Sequence, residues 1–98
     1  MTNKIVWYVQ IEGGYPDNTH GEVYAANRKD AVNKMREMAE KDRKRYEELY
    51  PEKDIRITIY PNGSQGWVWG NHVFNCATGE YDDEMYVSYK LRWKKVPV

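Results

Sequence analysis

The chain has 98 residues, 41% hydrophobic and 31% charged, which suits one folded domain spanning residues 1–98 and excludes a disordered chain or two domains. Fifteen Lys and Arg balance fifteen Asp and Glu, so the overall basic excess of a nucleic-acid-binding domain is missing. The one cysteine, Cys76, cannot form an intramolecular disulfide, and no apolar run approaches the ~18 residues of a membrane span. With no signal-peptide pattern at its N-terminus, the protein is expected in the cytoplasm and away from membranes.

Residues 4–11 (KIVWYVQI) alternate with period two and read as a strand, with Ile5, Trp7, Val9 and Ile11 on one face. The Gly-, Pro- and Asn-rich stretch 12–21 reads as a loop, and 22–26 (EVYAA) as a second strand that forms a hairpin with the first. Asn27 is placed to cap a helix, with Asp30 at its third position. From Arg28 to Tyr50 there is no Gly or Pro. Ala31, Val32, Met35, Met38 and Ala39 recur at helical spacing, Asp42 interrupts the stripe, and Tyr46 and Leu49 resume it. Pro51 ends the helix.

Residues 54–60 (DIRITIY) form a third strand, with Ile55, Ile57 and Ile59 on one face and Arg56, Thr58 and Tyr60 on the other. Asn62-Gly63 marks a hairpin turn, although "NGS" also matches a glycosylation sequon. Residues 67–75 are a fourth strand containing Gly70, which signals a bulge or close packing. Residues 76–84 (CATGEYDDE) read as a loop. The last strand, 85–96, is the most regular: Met85, Val87, Tyr89, Leu91 and Trp93 alternate with Tyr86, Ser88, Lys90, Arg92 and Lys94. The order ββαβββ defines an α+β two-layer sandwich, a mainly antiparallel five-stranded sheet with one long helix on one face. It differs from the βαββαβ order of RNA-recognition domains and the αβββα order of double-stranded-RNA-binding domains.

Residues 66–86 crowd Trp67, Trp69, His72, Cys76 and four acids together, but spacing argues against chemistry. His72 and Cys76 are four apart on a strand, about 13 Å at ~3.3 Å per residue, whereas a nucleophile and its base need about 3 Å. No metal-ligand spacing, calcium loop or phosphate-binding motif is present. No catalytic residue, metal or cofactor is therefore assigned.

The feature that points to function is the sheet face turned away from the helix. There the strand pattern collects Tyr8, Tyr60, Tyr86, Lys90 and Arg92, a mixture of tyrosines and bases suited to gripping another protein or stacking on nucleic-acid bases. Trp67 and Trp69 share one face of the fourth strand, and at least one is expected to be partly exposed. Trp7 and Trp93 are expected in the core. Together these residues suggest a small non-catalytic binding protein acting on another protein or a second copy of itself, of the accessory or inhibitor type found in bacteria and phages. Single-stranded nucleic acid on the tyrosine face, and a minor enzymatic or ligand-binding role near His72, are the alternatives.

Overall fold

A computed structural model describes residues 2–13, 20–75 and 77–97, with side chains described throughout except at 71–75 and 80–83. The elements are β1 (Asn3–Gly13), β2 (His20–Ala25), α1 (Arg28–Leu49), β3 (Asp54–Ile59), β4 (Gln65–Asn75) and β5 (Glu80–Pro97). They form the expected α+β sandwich. Five strands lie in the order β2-β1-β5-β4-β3, every neighbouring pair antiparallel, with α1 packed on one face. The helix connects β2 at one edge to β3 at the other. Of the loop expected at 12–21, residues 14–19 lie outside the described residues, as does Cys76. No helix among the described residues is long and apolar enough to cross a membrane.

The helix starts where its cap can satisfy free backbone donors. Asn27 Oδ1 accepts from the Asp30 amide at 2.8 Å, and Asp30 Oδ2 accepts from the Ala26 amide at 3.2 Å. It ends with the Tyr50 amide donating to the Tyr46 carbonyl, just before Pro51. Ala31, Met35, Ala39 and Tyr46 are its buried residues. Asp42 breaks the apolar stripe for a reason: its carboxylate accepts from the hydroxyl of buried Tyr89 on β5. Burial, and then that carboxylate, push the Tyr89 phenol upward, so it stays a neutral donor. Leu49, which continues the apolar stripe in the sequence, is exposed. The helix N-terminus rests on the β3–β4 turn, where Arg28 donates to the Asn62 carbonyl. Gly63 (φ +73°) lies against Val32, so a Cβ there would come within 2.8 Å of Val32 Cγ2.

β5 determines the shape. Its 18 residues pair with β4 over Glu80–Lys90 and with β1 over Val87–Pro97. Only the stretch 87–90 is flanked on both sides, so the sheet is two staggered wings sharing one strand. The molecule measures 61 × 25 × 25 Å. The core of Val9, Met35, Tyr46, Val68, Val87 and Tyr89 sits where the wings overlap beneath α1.

A β-bulge in β5 changes the expected assignment of faces. Val68 pairs with Val87, but Trp69 pairs with Met85, leaving Tyr86 as the extra residue. Tyr86 therefore turns toward the helix. It is 3% exposed and stacks on Tyr46, with centroids 4.4 Å apart, and on Tyr50 at 5.6 Å. This corrects its expected place on the open face. Met85, expected in the core, is displaced to the opposite face and is 58% exposed. The loop expected over 76–84 is shorter, because β5 already begins at Glu80 and continues the hairpin with β4. Trp93 is also corrected: it is 53% exposed, because its part of the β1–β5 ribbon extends past the core, while Trp7 is half-buried against the core edge.

Gly70 makes room for the bulge. A Cβ there would lie 2.7 Å from the Tyr86 hydroxyl oxygen and 2.8 Å from its ring. Gly70→Ala should therefore push Tyr86 off its stack and destabilise the protein by about 1–3 kcal/mol, the usual range for overpacking. A drop in melting temperature of several degrees is the expected readout. Gly21→Ala, where nothing lies within 4 Å, is the control and should leave the melting temperature nearly unchanged.

Candidate interaction face

The sheet face opposite the helix is built by parity from the five strands, and its two ends differ. At one end, Thr58 on β3, Trp67 and Trp69 on β4, and Glu84 and Met85 on β5 line an open groove of about 300 Å³. The pairings Thr58–Trp67 and Arg56–Trp69 across β3–β4, with Trp69–Met85 across β4–β5, bring these side chains together. Trp69 Nε1 donates to Thr58 Oγ1 at 2.9 Å, and the Arg56 guanidinium lies 5.9 Å from its ring centroid. Arg56 is itself held by Asp54 at 2.7 Å. Tyr60 sits edge-on to Trp67, with centroids 4.9 Å apart and planes at 76°. Both indoles are thus packed against fixed neighbours, and flexible Met85 stands exposed beside them. Rigid aromatic surface with an adaptable thioether suits apolar contact with a partner.

At the other end the polar groups satisfy one another. Tyr8 and Tyr24 are 5.3 Å apart, and the Lys94 ammonium lies over both rings at 5.3 and 4.9 Å. Lys94 Nζ donates to the Tyr24 hydroxyl at 2.6 Å, and that hydroxyl donates to Glu22 at 2.5 Å. The Tyr24 hydrogen bond raises the Lys94 pKa and keeps the ammonium charged. Arg92 Nε donates to Gln10 Oε1 at 2.7 Å. Lys90 faces Gln10 on one side and Gln65 on the other.

The expected site residues thus fall into three places. Tyr60, Trp67 and Trp69 come together at the groove. Tyr8, Lys90 and Arg92 share its face further along β1 and β5. Tyr86 lies on the helix side. Met85 and Thr58 complete the groove without having been singled out in the sequence. Thr58 was legible from strand parity, whereas Met85 was hidden by the bulge. The side chain of His72, and all of Cys76, lie outside the described residues. Among those described, no group of three or more His, Cys, Asp or Glu could hold a metal.

Beside the groove, on the helix side of β5, a cleft of about 520 Å³ is lined by Tyr50, Lys53, Glu84, Met85 and Tyr86. Lys53 Nζ donates to Glu84 at 2.5 Å and to the Tyr86 hydroxyl at 3.5 Å, and Tyr86 donates to Glu84 at 2.8 Å. The ammonium also lies 4.6 Å from the Tyr50 centroid. Hydrogen bonding to Glu84 raises the Lys53 pKa, so the amine stays protonated, the opposite of what a nucleophilic lysine needs. Lys53, and then Tyr86, lower that of Glu84. Burial, and then Glu84, push Tyr86 up to about 12. These charges brace the bulge.

No family model, curated protein or solved structure matches the chain.

The brace predicts a pH signature. Glu84 titrates below its ordinary 4.5, so its contribution is complete above that pH and disappears as pH falls through the lower folded value. Lys53 titrates above 10.5, so its share is lost only as pH rises through the higher folded value. Because the Glu84 side chain is 48% exposed, the effect should stay within about 1 kcal/mol. Thermal melts should show Glu84→Gln less stable than the parent at pH 7, with the gap narrowing as pH falls below 4.5. A gap of the same size across the whole acid range would assign the effect to packing instead.

Proposed function

We propose that this chain is a small non-catalytic binding protein that works by protein–protein contact, with the Trp67–Trp69–Met85 groove as its contact surface. One observation carries the reading: two indoles, fixed by Thr58, Arg56 and Tyr60, are joined at the open sheet face by a methionine that is 58% exposed. An apolar aromatic patch of this kind favours a partner that brings apolar side chains and excludes water. The same geometry weakens the nucleic-acid alternative. Tyr8 and Tyr24 already hold a lysine over their rings, and Glu22 adds a negative charge beside them. A cytoplasmic accessory or inhibitor role fits such a surface.

Capture of partners from host lysate, with and without nuclease, tests the proposal. Met85→Lys lies on the exposed face and should leave the melting temperature unchanged. It should weaken capture by about 30-fold, the loss expected for a hot spot of ~2 kcal/mol. Capture that survives Met85→Lys, or that vanishes with nuclease and with Lys90→Ala or Arg92→Ala, would overturn it in favour of another surface or of nucleic acid.

A further inference from the structure

Charge is separated along the molecule's long axis. At one end Lys4 lies on β1 and Lys95 on β5, with no acid among residues 3–6 or 91–97; Arg92 and Lys94 on the same strand are engaged by Gln10 and by Tyr24, with Glu22 beside the latter. At the other end Glu80, Asp82 and Asp83 occupy the start of the same strand, and the facing residues 71–75 of β4 bring no Lys or Arg; Glu84, the next acid, is already paired with Lys53. Asp83 and Lys94 are eleven positions apart on β5, about 36 Å at ~3.3 Å per residue. Screening at physiological salt acts over about 8 Å, so the two ends cannot neutralise each other within one molecule.

The basic end has unused binding capacity. Its ribbon runs past β2, whose last pairing is Ala25 with Trp7, and past β4, whose first is Gln65 with Lys90. The outer backbone edge of Asn3–Val6 therefore has no strand partner among the described residues, nor does that of β5 beyond Leu91, whose amide donates to the Ser64 carbonyl. On the helix side of this ribbon, but outside the core, Ile5 and Trp93 are 50% and 53% exposed. Two strands alone are marginally stable in water, and a covering partner would supply what the ribbon lacks. Edge lysines oppose the pairing of two such basic ribbons, because like charges would meet. An acidic ribbon removes that repulsion, and a second copy of this chain carries one. Since the net charge is zero, copies do not repel one another as wholes.

We propose that the basic ribbon, with Ile5 and Trp93, docks on the acidic β4–β5 ribbon of a second copy, so that molecules associate head to tail. Such a contact is heterologous and extends into chains instead of closing as a pair. The acidic ribbon adjoins the Trp67–Trp69–Met85 groove at Glu84, but Asp82 and Asp83 lie further toward the start of β5, so changes at 82 and 83 and a change at Met85 test the two proposals separately.

Sedimentation velocity tests it. In about 50 mM salt the apparent mass should rise with protein concentration, and about 500 mM salt should weaken association by about tenfold or more. Two charge-reversed proteins give the specific check, K4E/K95E and D82K/D83K. Each should stay monomeric alone at low salt, and mixing them should restore association, because opposite ends meet again. Far-UV circular dichroism establishes that each is folded. A strict monomer at low salt and high concentration overturns the proposal. So does association that persists in high salt or in either reversed protein alone; the salt series on the parent protein decides the matter even if a reversed protein does not fold.

Discussion

The bulge at Tyr86 is the constraint on which the rest of the structure depends. One extra residue on β5 reverses the alternation between Met85 and Val87, with effects on both sides of the sheet. Inward, it delivers a tyrosine ring to the stack with Tyr46 and Tyr50, which closes the core under the last turns of the helix. Outward, it frees Met85 to stand beside Trp69. Without the bulge, Tyr86 would lie beside Trp69 and the helix's end would face a flexible methionine. Gly70 and the Lys53–Glu84 pair serve the same arrangement, one by leaving space for the ring and the other by fixing its hydroxyl.

The shared strand explains why aromatic residues such as Tyr24, Tyr60 and Trp93 stand exposed. A helix of 22 residues is ~33 Å long, about half the 61 Å length of the body. It covers the middle of the body, around the overlap of the two wings, and leaves the projecting ends bare. Aromatic residues within that region, Tyr46, Tyr86 and Tyr89, are buried. Those beyond it, on the open face or on the ribbon, must tolerate water, which Tyr and Trp do through their polar tips. The excess of Tyr and Trp over Phe in the sequence is thus the composition of a thin, elongated sheet with a short core.

Much of the architecture was legible because local signals agreed with the global fold. The N-cap at Asn27, the glycine-free helix ended by Pro51, the turn at Asn62-Gly63 and the alternation of Ile55, Ile57 and Ile59 each point to one structure. The bulge was not legible. Alternation runs unbroken from Met85 to Trp93, and Met and Tyr are at home on either face, so no polarity marks the slip. Gly70 carried the only hint, and a glycine in a strand signals a close approach without saying which ring approaches. The acids at 80–84 read as a turn because polarity suggests a loop, yet polarity alone does not exclude a strand, and β5 begins at Glu80. Trp93 read as core because its parity is right; position along the strand, which parity cannot encode, puts it beyond the helix.

Which side chains are already committed decides where binding energy is available. Lys94 gives its charge to Tyr8, Tyr24 and the hydrogen bond at Tyr24, and Arg92 gives a hydrogen bond to Gln10. A partner seeking those groups would first have to break these contacts. In the groove, the hydrogen bond from Trp69 to Thr58 leaves ring faces and the Met85 thioether to offer, so a partner there would gain chiefly from shape and apolar burial, with Glu84 and Arg56 at its margin. Lys4 and Lys95 lie on the ribbon whose outer edge has no strand partner among the described residues, so binding there would follow ionic strength. The same sheet therefore carries two surfaces of opposite physical character, and the bulge and the length of β5 determine where each begins.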